Sequence, residues 1–89
     1  MIKIEWSSGF KKAYKKQVNK FPDLPITLSE KLNIFIKDPF DARLKTHKLT
    51  GKLSDLWSFS LSYDRRVIFH FEDEDTVLLV DIGTHDEVY

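Results

Sequence analysis

The last third of the chain most narrows what it can fold into. "LWSFSLSY", "RRVIFHF" and "TVLLVDI" are three strand-patterned runs joined by connections too short for anything but hairpins. In the first run Trp57, Phe59, Leu61 and Tyr63 fall on one face and Ser58, Ser60 and Ser62 on the other, so one side packs and the other is small and polar. A tight connection near Asp64 and Arg65 leads into the second run, "EDED" at 72–75 forms a charged hairpin tip, and Gly83 ends the third.

The first half supplies the cover that such a sheet needs. "MIKIEW" alternates Ile2, Ile4 and Trp6 with Lys3 and Glu5, the period of a half-buried strand. Ser7 and Ser8 are candidate helix caps, and Phe10, Ala13, Tyr14, Val18 and Phe21 then recur at helical spacing. The outer face of that helix holds Lys11, Lys12, Lys15, Lys16 and Lys20, and "FPDLP" ends it. A second helix is expected from Thr27, where T-x-x-E with Glu30 reads as a capping box, and "KDPFD" stops it at Pro39. The basic segment between Pro39 and Leu56 reads as loop broken by one short turn, with Leu44, Leu49 and Leu53 as anchors and Gly51 as a turn. The order β-α-α-β-β-β predicts an α+β fold in which two helices cover one face of a four-stranded, antiparallel-rich sheet. The 89 residues suffice for one domain, 1–89, and an apolar content of 42% is enough for one packed interior.

Several function classes fall away. The chain has no cysteine, which excludes disulfides and thiolate metal sites and makes a reducing cytosol the natural compartment. "MIKIEWSSGFKK" lacks an apolar signal core and no run approaches the ~20 apolar residues of a membrane span, so a cytoplasmic protein without a membrane partner is expected. The formal net charge of zero hides a division: residues 1–54 carry twelve Lys/Arg against five Asp/Glu, a net of +7, and residues 55–89 two against nine, a net of −7. Such asymmetry fits a basic surface for a polyanion or an acidic protein partner, or charged faces that interleave on folding.

Taken together, "RLKTHKLTGKLSDLWSFSL", "YDRRVIFHF" and "LLVDIGTHDEVY" in this order resemble the RelE/ParE toxin superfamily over nearly the whole chain, nearest its RelE and YafQ branch of mRNA interferases. The resemblance implies a RelE-like, microbial-ribonuclease-like fold. It also implies a toxin of a type II toxin-antitoxin system that enters the ribosomal A site, cleaves the mRNA there and is neutralised by a cognate antitoxin. Operator DNA would be met only through that antitoxin. The ParE-like branch, which shares the fold and inhibits gyrase by binding, and a catalytically weak antitoxin partner and co-repressor are the alternatives.

Cleaving RNA without metal or other cofactor uses the substrate's 2′-OH as nucleophile, which calls for a base, an acid and cations around the phosphorane. Three histidines are present, and His47 and His85 lie in segments read as non-strand, where a side chain can face a cleft. His70 alternates with Phe69 and Phe71 and reads as a surface or packing residue. His85 by itself could be a surface or capping histidine, but Tyr89 lies four positions on, where a helical turn would bring the two side chains together. By the resemblance His85 is the general acid, Tyr89 a base-stacking or orienting group, and His47 an assistant in proton transfer. Asp64 corresponds to an acidic residue that serves as base or orients an imidazole, and equally suits a turn that caps its own backbone. Only one of Arg65 and Arg66 can face the site from a strand, and Arg66 matches the family's arginine. Arg43, Lys45, Lys48, Lys52 and Arg65 are the candidates for the RNA approach, or a solvated surface.

Two departures weaken the match. Ser60 and Asp81 stand where many relatives carry a cation, and one lost donor to a phosphorane typically costs ~3 kcal/mol, or ~100-fold in rate. Asp81 is alternatively positioned to hold His85 in one tautomer.

Overall fold

The computed structural model describes residues 1–51 and 55–89, so the expectations for Lys52 and Leu53 lie outside the described residues. Among those residues, β1 (Lys3–Trp6), β2 (His47–Lys48), β3 (Trp57–Ser60), β4 (Arg65–Phe71) and β5 (Thr76–Thr84) form one sheet in the order β1-β5-β4-β3-β2. β1 runs parallel to β5 and every other pair is antiparallel. The sheet therefore has five strands, not four. The additional one is β2, formed where sequence suggested loop, because two residues hydrogen-bond to the start of β3.

α1 (Ser8–Lys20) begins as expected, with Ser7 accepting the Phe10 N–H at 3.0 Å. α2 (Leu24–Phe35) starts three residues before the anticipated Thr27. Pro25 sits in its first turn, where a missing N–H breaks no helical bond, so the proline opens the helix and no capping box forms at Thr27. A 3-10 turn at Ala42–Leu44 is the short turn foreseen in the basic segment.

Phe59 of β3, Val67 and Phe69 of β4, and Val77, Leu79 and Ile82 of β5 pack with Phe10, Leu24, Leu28 and Phe35 from the helices. Phe35 is fully buried, with ring centroids 5.1 Å from Phe59 and 5.0 Å from Phe69. The β3 run is shorter than its alternation suggested: the strand ends at Ser60, Leu61 turns into the core, and Tyr63 is 97% exposed in the bend beyond.

β5 contains the irregularity that sorts its side chains. The β4–β5 register slips between Ile68, opposite Asp81, and Phe69, opposite Leu79, leaving Val80 as the extra residue. Strict alternation after Val77 and Leu79 would aim Asp81 into the core. The bulge turns Asp81 out and brings Ile82, 2% exposed, in. Gly83 does not end the strand, which continues to Thr84. A Cβ at Gly83 would lie 3.2 Å from Glu87 and Val88 of α3 (His85–Val88), so glycine there admits a close helix rather than a turn.

Replacing Phe35 by Ala removes the ring at the centre of this cluster and is expected to cost about 3–5 kcal/mol of unfolding free energy, read from chemical denaturation. A loss below about 1 kcal/mol would show that the helix–sheet core is held elsewhere.

Candidate active site

The sheet face turned away from the core carries the residues of interest. Pairing places His47 beside Ser58, Ser60 beside Arg66, and Arg66 beside Gly83. Alternation in β3 and β4 keeps these side chains opposite Phe59 and Val67. Ser58 is completely buried on this face although polar.

α3 is a single turn closed by a capping box between Thr84 and Glu87, the T-x-x-E that does form in this chain. The His85 N–H donates to the Asp64 carbonyl at 2.9 Å, and the Tyr89 N–H to the His85 carbonyl at 3.0 Å. This geometry lays Tyr89 against His85, ring centroids 4.5 Å apart and edge-on at 89°. The Tyr89 hydroxyl reaches across the sheet and donates to Ser58 Oγ at 2.5 Å. Its ring then also neighbours His47, centroid to centroid 6.4 Å. One aromatic ring thus joins an imidazole from the middle of the chain to one near its end.

The two histidines differ in their partners. His47 Nδ1 lies 3.2 Å from the Lys45 carbonyl; a carbonyl only accepts, so the bond puts a proton on Nδ1, and in the neutral ring Nε2 is then the nitrogen with the lone pair. Lys45 adopts a left-handed backbone, φ 52°, which turns the chain out of the 3-10 turn toward β2. His85 Nδ1 is 3.6 Å from the exposed Asp86 carboxylate, an ion pair whenever the ring is protonated. The carboxylate beside His85 is therefore Asp86 and not Asp81, whose Oδ1 accepts the Ile82 N–H at 2.8 Å beyond the bulge. Sequence reading missed Asp86 and Ser58. The capping motif at Thr84 would have placed Asp86 in a helical turn, whereas nothing local marks Ser58.

A groove of about 300 Å³ is lined by Lys31, Arg43, Lys45, Ser60, Ser62 and Arg66 among others; neither imidazole nor Tyr89 lines it, and Lys45, whose carbonyl meets His47, links it to them. Arg66 donates through Nη1 to the carbonyls of Ser62, Tyr63 and Arg65 at 3.0–3.2 Å, which fastens the β3–β4 bend. Arg43 forms a two-pronged pair with Asp41, Nη2 to Oδ2 2.9 Å and Nε to Oδ1 3.0 Å, so much of its charge is already answered. These hydrogen bonds, from the Arg43 side chain first and its backbone N–H second, lower the Asp41 carboxyl from 3.8 to about 2.

Arg65 does not join the groove: its guanidinium carbon sits 3.3 Å from the Phe21 ring centroid, on the opposite face from Arg66, so the expected RNA contact is replaced by a cation–π contact to α1. Asp64 contributes its backbone to His85 while its side chain stays exposed. Lys48 is exposed on the edge strand β2, and His70 is half-buried on β4 outside the imidazole pair. The hollow of about 380 Å³ lined by Trp6, Tyr14, Leu28 and Leu32 carries no charged side chain and lies apart from this chemistry. Among the described residues no three His, Asp or Glu side chains gather as a metal-ligand set.

Two measurements follow. Tyr89→Phe keeps the ring but leaves buried Ser58 without its donor, and should cost about 1 kcal/mol in denaturation; an unchanged midpoint would mean the bond is not formed in solution. Asp41, depressed in the folded state, stabilises the 3-10 turn above its ordinary range near 3.8 and loses that contribution as pH falls through about 2. In Arg43→Ala the backbone N–H bond survives, so the Asp41 titration followed by carbon NMR should move only part of the way back up.

Comparison with known proteins agrees with this architecture. No curated protein matches the sequence at a significant level. A metal-bound toxin from Helicobacter pylori is 30% identical, with a TM-score of 0.77 and all of both chains covered. YafQ from E. coli strain BL21(DE3) is 20% identical, TM-score 0.80, covering 100% of this chain and 99% of that one, and YafQ in the E. coli DinJ-YafQ complex aligns with the same identity, coverage and score. The model of a family described as the bacterial toxin of type II toxin-antitoxin system, YafQ, matches residues 2–89, and the chain accordingly belongs to the YafQ family of bacterial toxins of type II toxin-antitoxin systems.

Proposed function

We propose that this toxin is a metal-independent, ribosome-dependent mRNA endoribonuclease. The observation that carries the reading is the meeting of His47 and His85 on the Tyr89 ring, beside a groove lined by cations. His47 Nε2, free because Nδ1 faces the Lys45 carbonyl, takes the proton of the 2′-OH. The 2′-oxygen attacks the adjacent phosphorus, the bond to the 5′-oxygen breaks, and His85 in its protonated form, paired with Asp86, donates the proton to that leaving oxygen. A cyclic 2′,3′-phosphate and a 5′-hydroxyl result. Lys45 and Arg66 are the cations best placed to meet the phosphorane, with Lys31 and Arg43 continuing the groove along the RNA backbone. Asp64 acts through its carbonyl, holding the His85 N–H, and Tyr89 orients both rings.

Ser60 occupies the groove wall next to Arg66 without adding a charge, which points to a slower enzyme than one with a cation there. The YafQ of the DinJ-YafQ complex is held by its antitoxin, and we assign this chain an analogous cognate antitoxin. No helix among the described residues is long and apolar enough to cross a membrane, and a ribosomal substrate places the toxin in the cytoplasm.

The test is cleavage of mRNA positioned in the A site of purified, programmed ribosomes, mapped by primer extension. His47→Ala and His85→Ala should each slow cleavage by roughly 100-fold or more, the usual range for losing a proton-transfer group. Cleavage at the wild-type rate in both variants would reject the assignment. An intact message with the wild-type toxin, together with inhibited gyrase supercoiling, would favour the ParE-like reading instead.

A further inference from the structure

The terminal turn that presents His85 and Tyr89 has no buried residue of its own. A single helical turn cannot hold itself in water, since nucleation is unfavourable before any tertiary contact forms. Two ties fasten it. One is the Tyr89–Ser58 bond already described. The second runs to α1: Gln17, only 3% exposed, directs Nε2 at both carboxylate oxygens of Glu87, at 3.1 Å and 3.3 Å.

Glu87 is the hub of this second tie. Its Oε1 also accepts the Thr84 N–H at 2.9 Å, and Lys20 Nζ of α1 stands 3.8 Å from Oε2. The backbone bond from Thr84, and then the Thr84 side chain, Gln17 and Lys20, keep the carboxyl below its usual range, so it is ionised where the toxin works. Gln17 Oε1 is buried with no partner, the cost of aiming the amide's donor end at Glu87. Gly83 allows the approach, because a side chain there would meet the Glu87 stem at 3.2 Å. Neither Gln17 nor Glu87 touches an imidazole. Both act on the ring geometry only through the orientation of the turn.

We propose that Gln17 and Glu87 are positioning residues of the candidate site: their amide–carboxylate pair clamps the terminal turn to α1 and so sets where the His85 and Tyr89 rings stand relative to His47. The catalytic part of this inference rests on the nuclease reading above; the positional part does not. The clamp joins the first helix to the last turn across 70 positions of sequence, so a change on α1, far from the RNA, reaches the proton donor.

Two variants test it in parallel, Gln17→Leu, which keeps the bulk and removes the donor, and Glu87→Ala on the partly exposed side. In the free, folded protein the edge-on packing at 4.5 Å should shift the His85 ring protons through the Tyr89 ring current. Both variants should lose that shift while the resonances of the Phe59 and Phe69 rings stay in place. On programmed ribosomes, single-turnover cleavage should fall on the order of 10- to 100-fold with the half-saturating toxin concentration unchanged, the signature of misplaced reacting groups rather than lost binding. An unaltered His85 shift in Glu87→Ala, or a shift that is lost with no change in cleavage rate, would overturn the proposal. If the wild-type toxin cleaves nothing, the nuclease reading fails by itself and the ring-current comparison alone decides whether the clamp exists.

Discussion

The structure depends on β5 pairing on both sides at once. It is parallel to β1 along its first half and antiparallel to β4 along most of its length, so the two ends of the chain meet at one side of the sheet, where β1 is the edge strand. Because β1 is only Lys3–Trp6, the second half of β5 has no strand beside it there. α1 enters that space: Ser7 donates to the Leu79 carbonyl at 3.1 Å, and further along Gln17 reaches Glu87. The bulge at Val80 lies at this changeover. By moving Asp81 out and Ile82 in, it lets one strand serve the core with its first half and the terminal turn with its second.

From that arrangement the candidate site follows. The outer face of β3 and β4 carries Ser58, Ser60 and Arg66 around Ile68, which is 3% exposed, and the two serines leave room for α3 and Tyr89 to lie on the sheet. A bulky residue at position 58 would close the space into which the Tyr89 hydroxyl donates. The site is therefore assembled from two elements of the sheet's periphery, with β2 supplying His47 from one edge and α3, directly after β5, supplying His85. The basic groove beside them is less positive than its composition suggests. Arg43 is answered by Asp41, and part of Arg66 is bound to three carbonyls of the β3–β4 bend, leaving half-buried Lys31 and exposed Lys45 as the groove lysines outside any ion pair among the described residues.

The charge division of the chain has a similar resolution. Among the described residues a single ion pair, Lys20 with Glu87, joins the basic half to the acidic half. Beyond that pair the described residues of the two halves do not neutralise one another by contact, and apart from Lys20 and Arg43, which is paired with Asp41, the described basic residues of the first half stay available to a polyanion. The acidic excess is partly gathered in the β4–β5 hairpin, where Asp73 caps the Asp75 N–H at 2.8 Å. There it is local turn chemistry.

Local patterning alone established much of this protein. Alternation in "MIKIEW", the three- and four-residue spacing from Phe10 to Phe21, and Ser7 as a cap are statements about neighbouring residues, and the structure holds to them because each of these elements buries the face its own period defines. The four-residue step from His85 to Tyr89 was legible for the same reason. What only tertiary structure decided were the long-range and irregular features: β2, two residues long and real only against β3; the bulge that reverses Asp81 and Ile82; and Arg65 lying on Phe21. The choice of Thr84 over Thr27 as the capping threonine belongs with them, since the same T-x-x-E pattern occurs twice and only packing on Gly83 and Gln17 distinguishes the two. The physical reason is common to all: a backbone period records which way a side chain points from its own element, whereas partners far apart in the chain are chosen by the free energy of closing the core around them.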